Sequence, residues 1–313
     1  MKNTHSGIGH ATGKIILIGE HSVVYGEPAI AFPFHAAAVT TVAVPSEEMQ
    51  ITCTYFSGKL ADAPKQLHNI KESILQTLAF FKKEENFSLT ITSTIPPERG
   101  MGSSAAVAVS VIRSLFDYYD YSYSEEELAH LVNKAEKIAH GNPSGIDAAA
   151  TSGKQPIFFI KGEALQTFPM DMSDTWLIVA DTGIKGQTRE AVKDVAHLFE
   201  TDRHDTSSKI IALGQLTRKS QQVILADNTQ ELGRIMKQAQ QLLTELTVSH
   251  PIIEKLIAAA NDAGALGAKL TGGGRGGCVI ALADSSVSAQ KIAAALETSG
   301  AVSTWIQTLE AQA

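Results

Sequence analysis

The chain has 313 residues, 44% of them hydrophobic and 19% charged, which describes a globular protein with a substantial core and excludes a disordered one. A formal net charge of −7 argues against nucleic acid or a membrane surface as a partner. The two cysteines, Cys53 and Cys278, lie far apart without metal-type spacing, so they read as buried apolar filler in a reducing cytoplasm. Met1 to Gly13 is polar and lacks the apolar core of a signal peptide. The longest apolar run, Ala29 to Val44, is interrupted by Pro33 and His35 and is too short to span a bilayer.

In chain order, Lys14 to Gly19 reads as a buried strand that ends in the polar cluster Glu20-His21-Ser22. Ala36 to Val44 and Ile51 to Phe56 are further strands, with Ser57-Gly58 as a turn. Lys65 to Lys83 has helical spacing, with Ile70, Ile74, Leu78 and Phe81 on one side. Phe87 to Ile95 alternates like a strand and delivers the chain to Pro96-Pro97. Gly100 and Gly102 then free the backbone, Ser103 and Ser104 are candidate caps, and Ala105 to Leu115 reads as a helix. Ser124 to Glu127 is a capping box that opens a helix to about His140, with a stripe of Leu128, Leu131, Val132, Ala135 and Ala139 and with Glu136 beside it. Gly141 to Gly145 is a turn, and Ser144-Gly-Ile-Asp147 opens a short alanine-rich helix. A hairpin is expected over Ile157 to Ile160 and Leu165 to Phe168, and a domain boundary at Asp171 to Asp174. Trp176 to Ala180 is a buried strand, and helices fill Thr188 to Ala263 with breaks near His204, Asn228 and His250-Pro251. Two strands, Gly267 to Leu270 and Cys278 to Leu282, flank the glycine run Gly272 to Gly277. A helix, Ser286 to Thr298, and a strand, Val302 to Leu309, complete the chain.

The stretch from Pro96 to Ala106 combines a glycine-rich turn with a helix start, where backbone N–H groups without internal partners and the helix dipole favour an anion. It is not a Walker A loop, since no Gly-Lys-Ser/Thr follows. Both glycine runs satisfy the loose dinucleotide pattern, which shows how unspecific it is, and after the first a long helix leads into Tyr118 to Tyr123 and another helix instead of a βαβ unit. A plain glycine turn is the alternative. Ser104 with one carboxylate would suffice for Mg²⁺, which takes oxygen ligands along with phosphates and waters. Glu136 is the candidate carboxylate, and a solvated surface glutamate is the alternative. Asp147 reads either as a base for a hydroxyl proton or as a reciprocal cap with Ser144. Lys14 is either solvated at a strand end or a countercharge for Asp147 and for a transferred phosphoryl group.

Three segments occur in the order of the GHMP kinases, which the chain resembles: Gly13 to Ile30, Pro96 to Ala106, and Lys269 to Cys278. Gly-Glu-His-Ser-Val-Val-Tyr-Gly, Gly141 to Asp147 and Asp181 to Thr188 are similar to the members that act on mevalonate. The resemblance implies ATP-dependent phosphorylation of the mevalonate 5-hydroxyl, on the route to isoprenoids, by a homodimer. The fold it implies is α+β in two lobes, a ribosomal-protein-like lobe at 1–172 and a ferredoxin-like lobe at 173–313, with the active site in the cleft. Carried over residue by residue, Pro97, Glu98, Arg99, Gly100, Met101, Gly102, Ser103, Ser104, Ala105 and Ala106 hold the ATP phosphates. Ser104 and Glu136 match the Mg²⁺ ligands, Asp147 the catalytic aspartate and Lys14 the lysine beside it. Glu20, His21 and Ser22, with Thr182, Gly183, Thr188, Thr271 and Gly272, line the substrate end. The commoner family loop has glycine where this chain has Glu98. Glu98 is expected to point away from the phosphates, with Arg99 offsetting its charge. The alternatives are a family member with a phosphorylated substrate and a catalytically silent ATP-binding regulator.

Overall fold

The first strand, β1 (Gly7–Ile18), is longer than its apolar run and begins with alternating buried and exposed residues. Glycine explains the extension. A Cβ at Gly7 or Gly9 would lie about 2 Å from the backbone oxygens of Ser114 or Ser110 (2.1 and 1.9 Å), so only glycine lets a helix settle on this strand. The computed structural model describes residues 5–140 and 145–310. The chain divides into two compact units, one drawn from Met1–Lys14, Pro33–Pro97 and Gly102–Gly153, the other from Ile15–Phe32, Glu98–Met101 and Lys154–Ala313.

In the first unit, β2 (Ala29–Pro45) pairs antiparallel with β5 (Phe87–Ser93) from Val39 opposite Ser93 to Pro45 opposite Phe87. β3 (Gln50–Cys53) runs parallel to β5 and forms a hairpin with β4 (Phe56–Lys59). The expected turn at Ser57-Gly58 is therefore a strand, and the chain reverses three residues earlier, at Thr54-Tyr55 between Cys53 and Phe56. Three helices pack on one another, α1 (His68–Phe81), α2 (Ser103–Tyr118) and α3 (Glu125–His140), and α2 also packs on β5. Their apolar faces, including Ile74, Val109, Ile112, Phe116, Leu128 and Val132, are buried. The capping box of α3 forms as expected: Glu127 N donates to Ser124 Oγ at 3.2 Å, and Ser124 N to Glu127 Oε2 at 2.8 Å. Ser103 and Ser104 do not cap α2. Gly102 in the left-handed region (φ 71°) is the N-cap, and both serines lie in the first turn. The short helix α4 (Ile146–Ser152) follows Gly145. Gly141 to Ser144, with the proposed Ser144 cap, and the side chain of Ala139 lie outside the described residues.

In the second unit, the start of β2 pairs with β6 (Ile157–Phe159), which forms the expected hairpin with β7 (Gln166–Thr167). β8 (Trp176–Asp181) leads to α5 (Thr188–Thr201), α6 (Arg203–Leu225), α7 (Thr229–Glu245) and α8 (Pro251–Asp262). The break between α5 and α6 falls at Asp202, whose carboxylate caps α6 by accepting from Asp205 N. β9 (Gly267–Thr271), β10 (Cys278–Ala283), α9 (Ser286–Thr298) and β11 (Ser303–Thr308) complete it. The sheet order is β11-β8-β10-β9, all antiparallel. Cys278 lies opposite both Asp181 and Thr271. That register brings the turn after β8 and the glycine run after β9 to one end of the sheet. Among the described residues, no helix is long and apolar enough to cross a membrane.

Candidate active site

In the first unit, two polar pairs gather around the start of α2. Lys14 is drawn into the core along β1 and is 3% exposed. Its Nζ lies 3.1 Å from Asp147 Oδ1 on α4. The lysine stem explains Gly102, because a Cβ there would sit 2.7 Å from Lys14 Cγ. In the second pair, Ser104 Oγ donates to Glu136 Oε1 at 2.8 Å. Glu136 is 8% exposed, so it is not a solvated surface glutamate. Asn69 on α1 steadies the serine, its Nδ2 donating to Ser104 Oγ at 2.8 Å and to Ser104 O at 2.9 Å. Asn69 was not evident in the sequence, since nothing local links α1 to the loop.

These oxygens suit Mg²⁺. The donor set is one hydroxyl and one carboxylate, both hard ligands. Mg²⁺ usually takes one or two protein carboxylates and fills the rest with phosphate and water. Among the described residues no group of three or more His, Cys, Asp or Glu could hold a metal ion, and phosphate oxygens and waters would complete the shell of a Mg²⁺ held by Ser104 and Glu136.

The loop from Glu98 to Gly102 alternates in handedness, with Glu98, Gly100 and Gly102 at φ 59°, 80° and 71°. Glu98 therefore keeps a left-handed backbone that costs a non-glycine residue about 1–2 kcal/mol. Several contacts offset that cost. Its carbonyl accepts from Gly186 N at 3.1 Å, and its carboxylate pairs with Lys185. Arg99 Nε donates to Asp181 Oδ1 at 2.7 Å, and its guanidinium also donates to Gly183 O at 3.0 Å. Met101 is fully buried. Arg99 is thus committed to Asp181 and Gly183, while Lys185 carries the countercharge to Glu98.

In the second unit, a cavity of about 210 Å³ is lined by Arg99, Lys185, Thr188, Thr271 and the glycine run. The glycines are needed there: a Cβ at Gly273 would lie 1.9 Å from Thr188 Oγ1. The hydroxyls of Ser22, Thr182 and Thr271 donate to backbone carbonyls, at Gly19 (3.2 Å), Gly277 (2.7 Å) and Ile16 (2.9 Å). Gly272 (φ 82°) brings its backbone against Gly100.

Beyond β1, Glu20 and His21 are both buried, and His21 has φ 61°. Lys269 on β9, fully buried, donates to Glu20 Oε1 at 2.5 Å. His21 Nε2 lies 3.0 Å from Gly273 O. A carbonyl only accepts, so Nε2 carries the proton and Nδ1 keeps its lone pair. Burial lowers the His21 pKa to about 4, opposed by the bond to Gly273, with Arg275 and Lys269 adding repulsion. The ring is neutral at pH 7. Sequence reasoning assigned no role to Lys269. The available signal was a lysine inside an otherwise apolar strand.

Comparison with known proteins agrees along the chain. The model of the GHMP kinases N terminal domain matches residues 69–154, and that of the GHMP kinases C terminal matches residues 221–302. A mevalonate kinase of Thermococcus sibiricus is 34% identical over 315 residues, covering 93% of this chain and 92% of that protein. The crystal structure of mevalonate kinase from methicillin-resistant Staphylococcus aureus MRSA252 is 34% identical. It superposes with a TM-score of 0.75 over 98% of this chain and 100% of that one. The L. major mevalonate kinase solved in complex with R-mevalonate is 26% identical, with a TM-score of 0.84 over 100% of this chain and 98% of that one.

Proposed function

The chain belongs to the GHMP kinase family, and on that footing we propose that it phosphorylates (R)-mevalonate at the 5-hydroxyl with ATP, giving 5-phosphomevalonate and ADP. The observation that carries this reading is the Lys14–Asp147 pair, 3.1 Å apart beside the start of α2. Relatives named mevalonate kinase, a third identical over nearly the whole chain, support the substrate.

In the reaction the 5-hydroxyl oxygen forms a bond to the γ-phosphorus. The bond from that phosphorus to the β,γ-bridging oxygen breaks, and ADP leaves with the electron pair. Asp147 accepts the hydroxyl proton. Lys14 holds the Asp147 carboxylate in place and, with the first-turn N–H groups of α2, offsets charge on the phosphoryl oxygens. Ser104 and Glu136 hold Mg²⁺, which when bound neutralises charge on the phosphates. Arg99, Lys185 and the glycine run bind phosphate oxygens or shape the loop that does. Glu20 and His21 accept hydrogen bonds from the hydroxyl substrate. The two family models fall one in each of the lobes proposed here, residues 1–172 and 173–313, whereas the compact units of the structure divide after Gly153 and assign Ile15–Phe32 and Glu98–Met101 to the second unit.

The test is ADP release measured with mevalonate, 5-phosphomevalonate, galactose and homoserine as acceptors. Turnover with mevalonate alone is expected. No ADP from mevalonate above the ATPase background sinks the reading, and turnover only with 5-phosphomevalonate moves the chain to another branch of the family.

A further inference from the structure

We infer that Lys269 is a positioning residue that grips one oxygen of Glu20 and thereby leaves the other as a fixed acceptor for a substrate hydroxyl. The inference rests on the mevalonate reading above and deepens it. An ammonium has three donors, and Lys269 spends two of them on Glu20 Oε1 at 2.5 Å and Leu270 O at 2.6 Å. The lysine has no room to swing. It is fully buried, lies opposite Ile280 in the sheet, and its neighbour Leu270 N is held by Gln240 Oε1 at 2.9 Å.

The other carboxylate oxygen, Glu20 Oε2, is buried without a hydrogen-bond partner among the described residues, and so is Nδ1 of the next residue, His21. Two consecutive buried acceptors without donors call for an explanation, because such groups are nearly always paired. Both lack a proton, so the chemistry that satisfies them is a hydroxyl donor, and an anionic group is repelled. A polyhydroxy acid that presents its alcohol here fits, and one presenting a phosphate does not.

The charged groups facing the pair are few. Glu20 and His21 follow β1, and Lys269 lies on β9. Arg275, in the glycine run, acts on His21 and is itself held by Asp194 at 2.5 Å and by Thr247 O. Burial lowers the Lys269 pKa, and Glu20 opposes that shift. With the ammonium removed, Glu20 is left in a buried position without its countercharge, and it takes up a proton.

The experiment compares the parent with Lys269→Met and with Lys269→Met/Glu20→Gln, which removes both charges while keeping the shapes. Steady-state rates are taken across pH with mevalonate and ATP varied separately, and infrared spectra record protonated carboxyl groups. For Lys269→Met the expectation is a KM for mevalonate raised about tenfold or more, with the KM for ATP within about twofold. The fall of kcat/KM on the acid side should move towards neutral pH. A protonated-carboxyl band should appear that is absent from both the parent and the double variant. A folded Lys269→Met protein with the parent's KM and pH profile overturns the inference. If that protein does not fold, the double variant decides, and a parent-like KM in it is equally fatal. Loss of the fold in both variants also overturns it, leaving Lys269 a purely structural residue. If the parent does not turn over mevalonate, the substrate reading fails separately, and the infrared comparison still reports whether Lys269 holds Glu20 ionised.

Discussion

Lys14 and Asp147 form an ion pair with one buried end and one open end: the lysine side chain is 4% exposed and the aspartate side chain 45%. The open carboxylate is accessible to a ligand, and the buried lysine is held in place. Replacing Asp147 with Asn keeps the shape and removes the charge. Turnover should fall by about 10²–10⁴, with far-UV circular dichroism unchanged and the KM for ATP little affected. Near-normal turnover in the folded variant would return Asp147 to a helix-start residue.

Lys14→Met keeps the stem that packs beside Gly102 and deletes the charge. A loss of about 10²–10³ in kcat is expected, the scale of removing one preorganised charge-stabilising group. Rapid-quench measurement of the chemical step checks it. An unchanged rate would leave the lysine as a strand-end residue.

Gly102→Ala probes the same lysine indirectly. The new methyl group would sit 2.7 Å from Lys14 Cγ, on a backbone at φ 71°. Stability should drop by about 1 kcal/mol or more from the left-handed backbone. Turnover should fall with it, because Lys14 must shift. Denaturant unfolding and kcat measured on one preparation separate the two effects.

Glu136→Gln keeps the hydrogen bond from Ser104 and lowers the charge at the site proposed for Mg²⁺. The Mg²⁺ concentration for half-maximal rate should rise about tenfold or more. A titration of rate against free Mg²⁺ at fixed ATP provides the check, and an unchanged midpoint would rule out the ligand role.

His21 makes stability depend on pH. Its pKa is about 4 in the folded protein, against an ordinary value of 6.5. Between these values the unfolded chain binds a proton that the folded protein does not. The contribution is therefore fully present above about pH 6.5 and is lost as pH falls towards 4, about 3 kcal/mol in all. Urea unfolding at pH 7 and pH 5 should show the parent losing about 2 kcal/mol more than His21→Gln. Equal losses would mean that His21 is not held neutral.

Several features were legible because they are local. The box Ser124 to Glu127 closes within one turn, so its residues suffice to predict it. The stripe Ile70, Ile74, Leu78 and Phe81 is buried as its spacing requires. Other local readings failed where a distant group competed. Ser104 has the chemistry of a cap, but its hydroxyl donates to Glu136, 32 residues away, and Gly102 starts the helix instead. Ser57-Gly58 has the composition of a turn, yet pairing with β3 makes it strand.

The sequence by itself determined the order of helices and strands, the glycine-rich loop before α2, and the membership in a family of small-molecule kinases. Those properties depend on spacing and residue type along the chain. Only the tertiary structure decided which charges meet. For Lys14 it chose the ion pair with Asp147, 133 residues away, over the solvated alternative that the sequence left open, and it joined Lys269 to Glu20 across 249 residues. Such partners are set by sheet register and by the cost of burying an unpaired charge, and neither is written in any single stretch. The same physics sends Arg99 to Asp181 and leaves Lys185 as the countercharge of Glu98, the acid that stands where the commoner loop has glycine.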